Sequence, residues 1–129
     1  MVEINFLAVI VAAFAAFVAS FVWYTVFGKE LAKVSMAIAE QKPAPWKMVV
    51  AIAQSLVLAI VLAYIIGRTG ADDWLDAAWI GVVLWIGLSA MQWVGSVLWE
   101  KAPIKMAVIH AGDWLLKLVL ISVIVGIWR

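Results

Sequence analysis

The stretch Ile104–Trp128, IKMAVIHAGDWLLKLVLISVIVGIW, is apolar over almost its whole length. A helix needs roughly 20 apolar residues to cross a hydrocarbon core of about 30 Å, so this stretch is long enough to span a bilayer. It nevertheless contains His110, Asp113 and Lys117. Because ionisable side chains at membrane depth are costly and face protein or water, these three residues predict where a functional site of this chain lies.

The whole chain has the composition of a membrane protein. Its 129 residues are 68% hydrophobic and 13% charged, and they include nine tryptophans, which predicts an integral membrane protein. The formal net charge of +1 comes without a basic cluster, which argues against a nucleic-acid partner. The absence of cysteine excludes disulfides and thiolate metal sites, and neither a cofactor nor a metal is predicted.

The remaining apolar stretches predict an all-α fold, a four-transmembrane-helix bundle that forms one integral membrane domain in the lipid bilayer. We interpret the first span as a retained helix, because it lacks the basic start of a signal peptide and is longer than the apolar core of one. The four spans are expected at about residues 4–27, 46–66, 77–99 and 104–128.

A short interfacial helix is predicted between helices one and two. Leu31, Val34 and Ile38 fall on one helical face, and Pro43 and Pro45 would end such a helix. We expect it to lie on the membrane surface. A loosely ordered loop is the alternative.

The distribution of lysine and arginine predicts the orientation. The first and third loops carry six lysines, against two arginines on the other side, so these loops are expected in the cytoplasm and both termini outside it. Trp23, Trp46 and Trp99 are expected in the aromatic belt at the cytoplasmic interface. The lysines are Lys29, Lys33, Lys42, Lys47, Lys101 and Lys105, and the arginines are Arg68 and Arg129.

Two pairs of similar segments indicate that the chain consists of two duplicated helical hairpins. The segment 17–23, FVASFVW, resembles 93–99, WVGSVLW, and 44–48, APWKM, resembles 102–106, APIKM. Parallel repeats are a known membrane architecture, although convergence of apolar sequence is the alternative. In this alignment the ionisable stripe belongs to the second half alone, because His110, Asp113 and Lys117 correspond to Ile52, Ser55 and Ala59.

Polar residues from all four spans fall at one depth. Ser20, Gln54, Gln92 and Asp113 each lie seven or eight residues from a span boundary, roughly 10 to 12 Å at the rise of an α-helix. Lys117 follows Asp113 at the i,i+4 spacing that lets the two side chains meet. The layer predicts either an internal binding site or a buried structural ion pair with hydrogen bonds between helices.

Small residues form stripes on the first and fourth spans. Such stripes allow close helix approach, either within the bundle or against another copy or subunit. They comprise Ala8, Ala12 and Ala16, which continue to Ser20, and Ser122 with Gly126.

Several short motifs resemble the bacterial domain-of-unknown-function family seventeen sixty-one. They are Ile4-Asn-Phe-Leu-Ala-Val9, Trp23-Tyr24 with Phe27-Gly-Lys29, Val108-Ile-His-Ala-Gly-Asp113 and Gly126-Ile-Trp128. The resemblance covers nearly the whole chain. It implies a four-helix protein of the bacterial plasma membrane with no assigned activity, and it suggests that the ionisable stripe is peculiar to this chain.

Three functional classes remain. The one that the sequence favours is a non-enzymatic membrane subunit or homo-oligomer that acts by helix association, since the small-residue stripes and the small extramembrane portion suit it. The second is a small transporter or proton or ion pathway that uses the polar layer around Asp113 and Lys117. The third is a pigment- or haem-binding accessory subunit in which His110 is the ligand, although a core histidine with satisfied hydrogen bonds is the simpler explanation. An enzyme is not predicted, because no nucleophile or metal-ligand set accompanies His110 and Asp113.

Overall fold

The computed structural model describes residues 3–34 and 44–128. Within these ranges four helices are long and apolar enough to cross a membrane, which confirms the predicted all-α four-helix bundle. The predicted interfacial helix falls on residues outside the described ranges, except for its first turn, where Leu31 belongs to the end of the first helix. The helices are α1 (Phe6–Ala32), α2 (Pro45–Thr69), α3 (Trp74–Trp99) and α4 (Ile104–Ile127).

Local capping sets the helix ends. The Asn5 side chain accepts hydrogen bonds from the first backbone N–H groups of α1, and Asp73 does the same for α3. With Asp73 as its cap, α3 begins at Trp74, three residues before the predicted start of the third span at about residue 77. A capping residue can begin a helix ahead of its apolar stretch. Pro45 occupies the first turn of α2, where its missing N–H is not needed, and Gly70 ends that helix with a φ of 76°.

Helix α4 lies at the centre of the bundle. It packs against α1, α2 and the first half of α3, and α1 also packs along α2. The buried core consists mainly of small and β-branched side chains, which permits close helix contacts. The core residues are Val9, Ala12, Ala13, Ala16, Ala59, Leu62, Ile66, Ala71, Ala77, Leu118, Ile121 and Val125.

Glycines bring α3 and α4 together at one end of the bundle. A Cβ on Gly126 would lie 2.5 Å from the Cβ of Ala77, and a Cβ on Gly81 would lie 2.8 Å from the carbonyl oxygen of Leu118. At these two positions only glycine fits without displacement of the neighbouring helix.

Helix α3 changes character halfway along its length. Residues Trp85–Ala90 form a π-helical segment, and none of the residues Met91–Trp99 that follow it is buried. Within the described ranges α1 packs along α4, whereas no corresponding packing joins α3 to α2. The two hairpins therefore do not pack as equivalents, and their duplication stays a prediction from the sequence.

Candidate functional site

Asp113 is the centre of a buried polar cluster. The residue is 1% exposed, and both of its carboxylate oxygens have partners. Ser20 of α1 donates a hydrogen bond to Oδ1 at 2.5 Å, and the Lys117 ammonium lies 3.0 Å from Oδ2. The hydroxyl of Tyr24 is a weaker donor to Oδ2 at 3.4 Å. The i,i+4 pair predicted from the sequence is thus formed, and α1 supplies two hydroxyls that help to compensate for the burial of the carboxylate.

Tyr24 joins His110 to this cluster. Its hydroxyl lies 2.7 Å from Nδ1 of His110, and the imidazole stacks on Trp93 of α3 with 5.1 Å between ring centroids and 9° between planes. One ring nitrogen and one face of the histidine are therefore occupied by protein, which favours a satisfied histidine over a haem or pigment ligand. Sequence reasoning missed Tyr24. Its spacing of four residues from Ser20 is the signal that could have found it.

Lys117 reaches from the ion pair towards an open space. Its ammonium lies 4.2 Å from the centroid of the Trp114 ring, a distance at which a cation and an aromatic face attract each other. The side chain is 17% exposed, compared with 2% for Asp113. The lysine is therefore the more accessible member of the pair.

That space is a crevice of about 620 Å³ between α1, α2 and α4. Ser20, Gln54, Asp113 and Lys117 all line it, so the structure brings together four of the six residues predicted as a binding site. Lys47 is exposed in the first turn of α2, and we call this end of the crevice its mouth. The backbone of Lys117 lies thirteen residues inside α4, roughly 20 Å from the start of that helix, and its ammonium lies beside Asp113. The crevice is also lined by Phe17, Phe21, Tyr24, Thr25, Met48, Ala51, Ser55, Leu58 and Trp114.

Gln92 does not join the polar layer as predicted. Its side chain is exposed on the outside of α3 and does not line the crevice. The physical reason is the π-helical segment Trp85–Ala90 immediately before it. Each residue of an α-helix turns by about 100°, so a segment with a wider turn rotates every later side chain away from the face expected for a regular helix.

Two tryptophans fix α4 on either side of His110. The indole nitrogen of Trp23 donates a hydrogen bond to the carbonyl of Ile109 at 2.9 Å, and that of Trp85 donates to the carbonyl of Ala111 at 2.7 Å. A Cβ on Gly112 would lie 2.5 Å from the Trp23 ring, so this glycine provides the space for the indole. Trp23 thus packs against α4, where its N–H finds an acceptor, and its place in the cytoplasmic aromatic belt stays a prediction.

The small-residue stripes are used within the bundle. Ala8, Ala12 and Ala16 are at most 1% exposed, and Ser122 and Gly126 are buried where α4 meets α3. The stripes therefore serve helix packing inside one chain.

The cluster can hold charge and donate hydrogen bonds. Among residues 3–34 and 44–128 no group of three or more His, Cys, Asp or Glu side chains could hold a metal ion. The arrangement provides a buried ion pair beside hydroxyl and amide groups in a crevice.

Residues 7–126 match the protein-family model described as Protein of unknown function (DUF1761). A search of curated proteins and a search of solved structures find no similar protein. None of the three comparisons assigns an activity or a ligand to the chain.

Proposed function

We propose that this chain, which belongs to the DUF1761 family of proteins of unknown function, binds a small solute in the crevice and carries it across the membrane. The observation that carries this proposal is the convergence of Ser20, Gln54, Asp113 and Lys117 on one crevice. Ionisable residues inside membrane spans commonly mark solute or ion pathways.

The depth of the crevice supports transport rather than surface binding. It begins at Lys47 in the first turn of α2 and continues to Lys117, which lies beyond the middle of α4. A solute that reaches the Lys117 ammonium would lie beside Asp113, well inside the roughly 30 Å hydrocarbon core. We further propose that the membrane is the plasma membrane of a bacterium, with both termini outside the cytoplasm, which the excess of lysine at the crevice-mouth end supports.

Filling the crevice tests the proposal. Ala51 is half-buried and lines the crevice, whereas Ala53 on the same helix is exposed and does not. In lipid nanodiscs, acetate, benzoate, benzylamine, glycerol and glucose would be screened for a rise in unfolding temperature. A ligand at a hundredfold excess over its Kd stabilises a protein by about 2.7 kcal/mol. We expect Ala51→Trp to abolish the shift and the matched variant Ala53→Trp to retain it.

The same solute is then followed in proteoliposomes. Uptake by the wild type and by Ala53→Trp, but not by Ala51→Trp, would establish passage through the crevice. The proposal is wrong if no probe stabilises the protein, or if Ala51→Trp binds and transports as the wild type does.

A second candidate function is a non-enzymatic membrane subunit or homo-oligomer, and the exposed amide of Gln92 favours it. A polar amide on the lipid-facing side of a helix lacks the hydrogen bonds that water would supply, and a partner helix can provide them. The surrounding outer face of α3 is suited to contact, because Leu88 and Trp99 are exposed and a Cβ on Gly95 would meet nothing within 4 Å.

Gln92→Leu is expected to weaken self-association if this candidate is correct. Interhelical hydrogen bonds of this type contribute about 0.6 to 2 kcal/mol in membranes, so we expect the association constant to fall by about threefold to thirtyfold. The measurement is energy transfer between labelled copies in liposomes as the protein-to-lipid ratio is varied. Val61→Leu, on the exposed side of α2, is the control. Identical association of the wild type and Gln92→Leu would contradict the candidate.

A further inference from the structure

The charges along the crevice are unbalanced. Three charged side chains line it, the cations Lys47 and Lys117 and the anion Asp113. Asp113 is shielded, because its side chain is 2% exposed and its oxygens accept bonds from Ser20, Tyr24 and Lys117. The two lysines therefore determine the charge that a solute would meet.

Each lysine has capacity for a further ligand. The Lys117 ammonium carries three N–H groups, of which the contact with Asp113 needs one. Lys47 is exposed at the mouth, with its ammonium 5.8 Å from the centroid of the neighbouring Trp46 ring. Glu30, an acidic residue at this end of the bundle, already binds Lys33 and Lys105 and does not line the crevice.

The other lining groups favour the same occupant. The Gln54 amide can donate hydrogen bonds to an anion, and the N-terminal end of α2, where Lys47 lies, carries the positive end of the helix dipole. The apolar wall, which includes Phe17, Phe21 and Leu58, suits a hydrocarbon or aromatic body.

We propose that the crevice selects an organic anion, with its acidic group bound by Lys47 at the mouth and its apolar body against α1 and α2. This inference rests on the proposed function and specifies its solute. The acidic group belongs either to a free carboxylate or to an anionic lipid that enters from the bilayer, since both offer the same chemistry to a lysine.

Three probes of similar shape and different charge test the selection. Isothermal titration in nanodiscs of zwitterionic lipid would compare benzoate, benzyl alcohol and benzylamine. We expect benzoate to bind at least tenfold more tightly than benzylamine. Lys47→Gln should weaken benzoate binding by about tenfold, as the loss of a charge-assisted hydrogen bond does, and should leave benzyl alcohol unchanged. Lys29→Gln, an exposed lysine outside the crevice, is the matched control and should change neither.

The outcomes separate this inference from the proposed function. Tighter binding of benzylamine, or benzoate binding that is the same in Lys47→Gln and wild type, overturns the anion selection, and the proposed function still stands if Ala51→Trp blocks the solute that does bind. Absence of binding by all three probes overturns the selection as well. Repeating the titration in nanodiscs with anionic phosphatidylglycerol identifies the source, because a resident anionic lipid would compete with benzoate and a free carboxylate site would not be affected. Either result supports an anion in the crevice.

Discussion

Lys117→Met is expected to destabilise the folded bundle by about 3 to 5 kcal/mol, the loss typical of a buried ion pair from which one partner is removed. Asp113 is 1% exposed, so its carboxylate cannot turn towards water when the ammonium is lost. Ser20 and Tyr24 would remain as its hydrogen-bond donors, and two hydroxyls compensate for a buried charge less well than an ammonium does. Unfolding of the purified protein by SDS or urea, followed by circular dichroism, measures the change.

The double variant Asp113→Asn with Lys117→Met is the control for this prediction. It removes both charges and keeps an amide that can bond to Ser20, so we expect it to lose less stability than Lys117→Met alone. If the single and the double variant lose the same stability, the unpaired carboxylate is not the cause of the loss, and the prediction is wrong.

Gly126→Ala is expected to destabilise the bundle by about 1 to 3 kcal/mol, the usual range for an overpacked core. The added Cβ would lie 2.5 Å from the Cβ of Ala77, which is bonded directly to the backbone of α3 and cannot move unless that helix moves. Gly81→Ala should act in the same direction, since its Cβ would meet the backbone oxygen of Leu118 at 2.8 Å. Both variants separate the first half of α3 from α4, and thermal unfolding in nanodiscs measures the effect.

Two other glycines of α3 provide the control. A Cβ on Gly87 or on Gly95 would meet nothing within 4 Å. Alanine at these positions adds helix propensity without a clash, so stability should stay the same or rise slightly. An equal loss in all four variants would show that flexibility of α3, rather than close approach to α4, is what glycine provides.

The sequence predicts the helices because a membrane allows few alternatives. An apolar stretch of the right length has to form a helix that satisfies its own backbone, and the spans fall within a few residues of the predicted bounds. The largest differences lie at helix ends. There the Asp73 cap and the last turn of α1 extend the helices beyond the predicted apolar spans, and hydrophobicity does not predict such extensions.

Within the site, local spacing was more informative than depth. The i,i+4 spacing of Asp113 and Lys117 predicts a contact inside one helix, and that contact is formed. The shared depth of the polar residues correctly predicts that Ser20 lies near Asp113, but it wrongly predicts the same for Gln92. The depth of a residue depends on the rise of its helix, whereas the direction of its side chain depends on the rotation of the helix. The π-helical segment changes the rotation of α3, and its sequence, WIGLSA, does not predict a π-helical turn.

Trp23 illustrates a different limit. A tryptophan near the end of a span commonly lies at the interface, which predicts its depth but not its neighbours. The contacts of Trp23 depend on Gly112, eighty-nine residues later, which leaves room for the ring beside an available carbonyl. Contact between a tryptophan ring and a glycine on a distant helix cannot be predicted from either segment alone.

The Asn5 side chain and the backbone carbonyl of Trp128 are 3.5 Å apart, so the first and last helices meet at the same end of the bundle. The turn between α2 and α3 lies at that end as well, because successive helices run in opposite directions. A circular permutant that joins Trp128 to Asn5 by a short linker and opens the chain near Gly70 would therefore carry the helices in the order α3, α4, α1, α2, with every loop on the same side of the membrane as before. The order in which the two hairpins are synthesised is thus separable from the bundle they build.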